Sequence, residues 1–222
     1  MPYNQFQISK QPGCHHCTVT STSTTTTTDP KEQHFFLENS PFDTSQPDLR
    51  MHIGPDTTSP VVGVSKYKRF SQGCQISLFE DEANTEINPE NVWKNINLSK
   101  KGYLSPSYVF QAQLYGEMGR FAWKKTKSIG KHATPLGNLK LVDNSSGEVL
   151  AVYSSESYTL VYRLVEMCGE FGEEFDRLVL LTGVSVREKQ RRARSRQMRH
   201  GNGYVFTAGV AGVGGGGMGG GC

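Results

Sequence analysis

The sequence predicts a mainly β fold: a closed antiparallel barrel of roughly twelve strands around one buried C-terminal helix, with disordered termini. Three observations lead there. Short runs rich in β-branched and aromatic residues recur between turn signals, and no helical periodicity of useful length interrupts them. A late segment, "LVLLTGVSV", is apolar on every side. Both ends of the chain are polar or glycine-rich and carry no periodic hydrophobics of their own.

Taken in order, residues 1–32 include "CTVTSTSTTTTTDP", a low-complexity run with too little apolar surface to offset its ordering entropy, and read as a disordered arm. A folded region at 33–190 follows. Its candidate strands are "HFFLE", "LRMHIG", "PVVGVSKYK", "CQISLF", "VWKNINL", "SYVFQAQLYG", "GRFAWKKTKS", "GNLKLVD", "GEVLAVYSS" and "SYTLVYRLV". The tight turns "GEMG" and "NSSG" join neighbours as in an antiparallel meander. The helix is expected from about residue 171 to Val186, with Glu173, Glu174 and Asp176 at its start and basic residues after its end, the charge order its dipole favours. Residues 191–222, basic and then "AGVAGVGGGGMGGGC", read as a flexible tail.

Leu178, Val179, Leu180, Leu181, Val184 and Val186 cover more than one helix face, so the segment must be surrounded. Lipid is a poor candidate. From 171 to 186 the helix would be about 24 Å long, short of the ~30 Å bilayer core, and three carboxylates would lie inside it. An interfacial helix needs a charged face, which this segment lacks. An eight-stranded barrel fills with its own side chains, whereas eleven or twelve strands leave room for one helix. Burying those six aliphatic side chains would contribute on the order of 9–18 kcal/mol, an upper bound comparable to the net stability of a domain.

The net charge of +3 is unevenly spread. Residues 187–199 carry seven basic side chains against Glu188 alone, which leaves the rest of the chain at −3. This is a mildly acidic body with a basic tail, not a uniformly basic nucleic-acid-binding domain. Five cysteines, odd in number and without a framework spacing, suit reduced thiols. The first residues show no secretory pattern, so the expected compartment is cytoplasm or nucleus, at the membrane periphery if lipid is bound.

A strand meander with "GNLKLVDNSSGEVLAVY" near its end, closed by "FGEEFDRLVLLTGVSV", resembles the tubby C-terminal-like superfamily, which includes tubby domains, LURP-one-related proteins and phospholipid scramblases. It is most similar to fungal members without an assigned activity. The resemblance covers residues 33–190 and rests on pattern and strand order. It implies a twelve-stranded barrel with the apolar helix threaded through it, and a non-enzymatic protein that binds phosphoinositides through basic surface residues. The chain departs from the pattern by running on past the helix, and nothing matches the scramblase calcium site. Scrambling is therefore not carried over.

Two basic features are candidates for function. An acid-free window from Met118 to Val142 holds Arg120, Lys124, Lys125, Lys127, Lys131 and Lys140 with His132 beside them. On a strand Lys125 and Lys127 would share a face, Lys124 would point away, and Lys140 on the next strand could join them. Such lysines can hold phosphate groups as point charges, or simply solvate an exposed sheet face. The second feature, Arg187, Lys189, Arg191, Arg192, Arg194 and Arg196, could be a nuclear-localisation signal, an anionic-lipid patch or a solvated helix end. Without interleaved aromatics to stack on bases, it argues against nucleic acid.

Catalysis and metals have less support. There is no G-x-S-x-G or H-E-x-x-H, and Ser128, His132 and Asp143 are scattered polar residues rather than a triad. "CHHC" at Cys14–Cys17 has half the spacing of a zinc site and no second pair nearby, so neither metal nor cofactor is expected. Two functions follow: a non-enzymatic barrel on phosphoinositide or anionic membrane surfaces, or a nuclear or cytoplasmic protein-interaction module whose Arg-rich tail is an address.

Overall fold

The computed structural model describes residues 5–11, 15–21, 34–40, 45–68, 73–79, 92–102, 106–114, 117–126, 138–154, 159–162 and 172–201. These form an antiparallel sheet and one helix. The strands are β1 (Gln5–Lys10), β2 (Cys17–Ser21), β3 (His34–Asn39), β4 (Leu49–Ile53), β5 (Val61–Tyr67) and β6 (Cys74–Phe79). They continue as β7 (Val92–Lys101), β8 (Ser107–Leu114), β9 (Glu117–Thr126), β10 (Asn138–Asp143), β11 (Val149–Ser154) and β12 (Thr159–Tyr162), and α1 (Gly172–Gly201) follows.

Every strand pairs with its neighbours in sequence, and the order of hydrogen-bonded neighbours is β1-β12-β11-β10-β9-β8-β7-β6-β5-β4-β3-β2. β1 lies along β2 through five residue pairs and meets β12 over three, Gln5↔Val161, Phe6↔Leu160 and Gln7↔Thr159. The ten strands expected from the sequence are β3 to β12. Of the two turns singled out, "NSSG" is a tight hairpin: Asp143 and Glu148 bond through the backbone, and Gly147 takes φ +77°, which glycine alone adopts without cost. Of "GEMG", Glu117, Met118 and Gly119 already belong to β9, and Gly116 lies outside the described residues.

The N-terminal arm corrects the sequence expectation. Residues 5–10 and 17–21 are strands because Phe6, Ile8 and Val19 fall on alternate positions and are buried against the core. Composition alone suggested disorder. Yet threonine is β-branched and suits a strand once neighbours supply the hydrogen bonds, as β1 and β3 do for β2.

The helix carries the largest correction. It runs for 30 residues, about 45 Å, instead of stopping at Val186, and the expected domain boundary at 190 falls inside it. Its length therefore no longer argues against a bilayer. Its charge does: among the described residues no helix is long and apolar enough to cross a membrane.

The apolar half is enclosed as expected. Leu178, Val179, Leu180, Leu181 and Val186 are completely buried, and contacts reach α1 from well-separated parts of the sheet. At Gly63 in β5 an added Cβ would stand 2.8 Å from Leu181 and 2.9 Å from Leu78, so glycine is what lets the helix come this close. From β9, Trp123 packs on Gly183, where a Cβ would lie 3.0 Å from its ring, and its indole N–H donates to Thr182 Oγ1 at 3.0 Å. From the end of β5, Tyr67 donates its hydroxyl to the Ser185 carbonyl at 3.2 Å. The sheet thus wraps the helix and takes it as its core.

Candidate functional site

Position on a strand decides which way each lysine of the acid-free window faces. Trp123 and Leu141 are paired across β9 and β10 and are fully buried, so they mark the inner face. Lys124 and Lys140 are the next pair along, directly opposite each other, and stand on the outer face. Directly opposed residues have Cβ atoms about 4.5–5.5 Å apart, so two ammonium groups share one spot on the surface. Lys125 pairs instead with the buried Leu139 and so belongs to the other face, where it is exposed near the strand's end. Lys140 thus joins Lys124, not Lys125. Lys127, Lys131, Ser128 and His132 lie outside the described residues.

The register extends this pair into a row. Lys124 faces Ser107 on β8, and Ser107 faces Lys101 on β7, so Lys101, Ser107, Lys124 and Lys140 lie side by side across four strands. With about 4.8 Å between strands, Lys101 and Lys124 are about 10 Å apart, with a hydroxyl between them. A shallow depression of about 890 Å³ adjoins the row on the outer face of β7, β8 and β9, lined by Asn97, Ser99, Lys101, Gln111, Met118 and Arg120 among others. Such a surface can collect phosphate or carboxylate oxygens by charge and hydrogen bonding. Lys101 has no counterpart in the sequence reading, because β-strand register across a hairpin is invisible in one dimension.

The Arg-rich block divides along the helix. Arg187 is buried, with its guanidinium 5.5 Å from the Tyr153 ring centroid on β11. Lys189 donates to the Gly73 carbonyl at the start of β6. Arg191 forms a forked pair with Glu188, both contacts at 2.7 Å. Arg192 is the most engaged: it donates to Glu188 at 2.9 Å, to Asn39 at 2.7 Å and to Asp48, and lies 4.8 Å from the Tyr67 ring centroid. Arg194 is half-buried and Arg196 is exposed. Four of the six expected signal residues are thus bound up with the sheet or the helix itself. The spacing of Glu188 to Arg191 and Arg192, three and four residues on, was a readable sign of pairing within a helix.

This cluster sets its own electrostatics. Burial pushes the Glu188 carboxyl up, but hydrogen bonds from Arg191, Arg192 and Asn39 outweigh it and leave the group below its ordinary value. Burial, with Glu188 nearby, holds the Tyr67 hydroxyl well above its usual range. Burial also lowers Lys189, and the like charges of Arg196 and Lys100 act in the same direction. Burial raises the Cys74 thiol to about 11, which keeps it neutral.

In "CHHC", His16 Nδ1 accepts a hydrogen bond from the Asn39 backbone N–H at 3.1 Å, and its ring leans on Phe36 with centroids 5.6 Å apart. Cys17 packs against the core from β2, and Cys14 lies outside the described residues. Among the described residues no group of three or more His, Cys, Asp or Glu is placed to hold a metal ion. Asp143 serves the β10–β11 turn, accepting from the Ser145 N–H at 2.7 Å.

No family model, curated protein or solved structure matches this chain.

Proposed function

We propose that this chain is a non-enzymatic, tubby-like barrel that attaches to anionic membrane surfaces, phosphoinositide-bearing ones included, through the outer-face lysines. In this reading the wall closes at the short β1–β12 seam. Twelve strands wrapping one apolar helix support it, together with the strand order that led to the resemblance.

The observation that carries the binding role is the register pair Lys124↔Lys140, continued through Ser107 to Lys101. Opposed like charges destabilise a sheet, so placing two lysines across from one another makes sense where an anion offsets the repulsion. The rival role for the Arg-rich block, an address read by a transport receptor, loses ground. A receptor needs the basic side chains accessible, and Arg187, Lys189 and Arg192 are held by Tyr153, Gly73, Asp48 and Asn39.

The test is co-sedimentation with vesicles of phosphatidylcholine with and without phosphatidylserine or a phosphoinositide. Binding should need the anionic lipid and weaken with salt. Lys124→Glu/Lys140→Glu should reduce it by about tenfold or more, at about 1 kcal/mol per basic residue near such a surface. Unchanged binding by that variant would remove the assigned patch.

A further inference from the structure

We infer that the molecule docks end-on, with the rim from which the helix emerges turned toward the membrane and the axis of α1 steep to the bilayer. This rests on the membrane reading above and extends it: the lysine row lies at the strand ends beside this rim, and the inference adds the rim itself and an orientation.

Strand reversal sorts the charges. The end of the sheet nearest the C-terminal part of α1 is fixed by contacts from Lys189 to Gly73, Arg192 to Asp48 and Asn39, and Tyr67 to Ser185. Because all strands are antiparallel, β1, β7 and β9 finish at this rim, while β2, β8 and β10 begin there. The rim therefore gathers Lys10, Lys100, Lys101 and Lys125 from strand ends, and α1 adds Arg194 and Arg196. Lys100 and Arg196 both act on Lys189, so the strand-borne and helix-borne charges share one field.

Among the described residues, the carboxylates in this half are already neutralised. Glu38 pairs with Arg50 at 3.2 Å, Asp48 with Arg192, and Glu188 with Arg191 and Arg192. Among the described residues, Lys10, Lys100, Lys101, Lys125, Arg194 and Arg196 have no carboxylate partner. At the opposite end, the turn between β4 and β5 brings Asp56, the β10–β11 turn brings Asp143 and Glu148, and the start of α1 brings Glu173, Glu174 and Asp176. Among the described residues the cations there are Lys94, Arg120 and Arg177, and Arg177 is paired with Glu173 at 3.4 Å. The described residues are thus charged like a bar, positive at one end and negative at the other, and such a body turns its positive end to a negative plane before contact.

The shape of the positive end selects a membrane. Its charges ring a protruding helix instead of lining a groove, which suits a plane of headgroups better than the path of an extended polyanion. Beyond the rim, Arg194 and Arg196 are followed by Met198, a large apolar side chain left 58% exposed. Basic residues beside an exposed apolar one fit the boundary between headgroups and acyl chains.

Full-length protein carrying Met198→Trp or Thr57→Trp, the latter in the exposed β4–β5 turn at the far end, would be mixed with phosphatidylserine vesicles containing brominated lipid. Quenching of the added tryptophan in Met198→Trp but not in Thr57→Trp is expected. Lys100→Glu/Arg196→Glu should weaken binding by about tenfold or more, since the pair exchanges two attractive charges at the rim for two repulsive ones. Equal quenching at both positions overturns the orientation. So does a fully binding Lys100→Glu/Arg196→Glu variant when Lys124→Glu/Lys140→Glu no longer binds, which would leave side-on docking through the outer wall intact. Absence of vesicle binding by the unmodified chain at low salt removes the membrane reading itself. Binding of duplex DNA without vesicle binding would assign the rim to nucleic acid instead.

Discussion

The two halves of α1 are held by different physics. From Leu178 to Val186 the helix is surrounded by aliphatic and aromatic side chains, with the hydroxyl of Thr182 answered by the Trp123 indole. From Arg187 onward the same helix is held by charge: Arg192 bridges Glu188, Asp48 and Asn39 while lying over Tyr67. Within the first half, the stretch from Leu178 to Val186 carries no charge and is held mainly by apolar burial. The second works only because each cation meets a specific oxygen or ring. Apolar burial thus sets where the helix sits, and the ion cluster sets how it leaves the sheet.

The sharpest way to break this contrast is Leu181→Asp. That side chain is completely buried against Gly63 and its neighbours, so a carboxylate there must either be desolvated or disrupt the core. Loss of cooperative unfolding by circular dichroism is expected; a folded variant with an ordinary midpoint would contradict the enclosure of the helix.

Next comes the charged half. Arg192→Ala should cost about 2–3 kcal/mol by urea denaturation, less than a fully buried pair, because the cluster keeps some solvent access. Arg196→Ala, one turn on, should stay within about 0.5 kcal/mol of the parent. Equal effects would erase the division between held and free arginines.

The smallest expected effect is on pH. Since the folded Glu188 carboxyl sits below its ordinary value, its contribution is present above that ordinary value and is lost as pH falls through the folded one. Thermal melts should show this acid loss beginning below about pH 4.3, and Glu188→Gln should flatten it. An unchanged profile in that variant would place the acid sensitivity elsewhere.

Much of the architecture was legible because it is written locally. Period-two patterns marked β3 to β12, and six aliphatic residues within nine positions announced an enclosed helix. β1 and β2 escaped because threonine-rich composition masked the alternation of Phe6, Ile8 and Val19, which becomes decisive only beside β12 and β3. The helix end was misplaced for a related reason: Arg187, Lys189 and Arg192 look like solvated tail until Tyr153, Gly73 and Asp48 are brought to them across the fold. For the candidate site, the basic window was visible, but the pairing of Lys124 with Lys140 and the arrival of Lys101 are matters of register. No single-strand pattern encodes register.

The segment that fills the sheet follows all twelve strands in chain order. On a ribosome adding about 5–20 residues per second, the earliest strands wait on the order of ten seconds or more for the helix that covers their greasy side. Throughout that interval the nascent chain offers open strand edges and bare aliphatic surface, the kind of substrate that holding chaperones bind. Emergence of that helix, rather than of any one hairpin, is then the moment at which the sheet can first be covered.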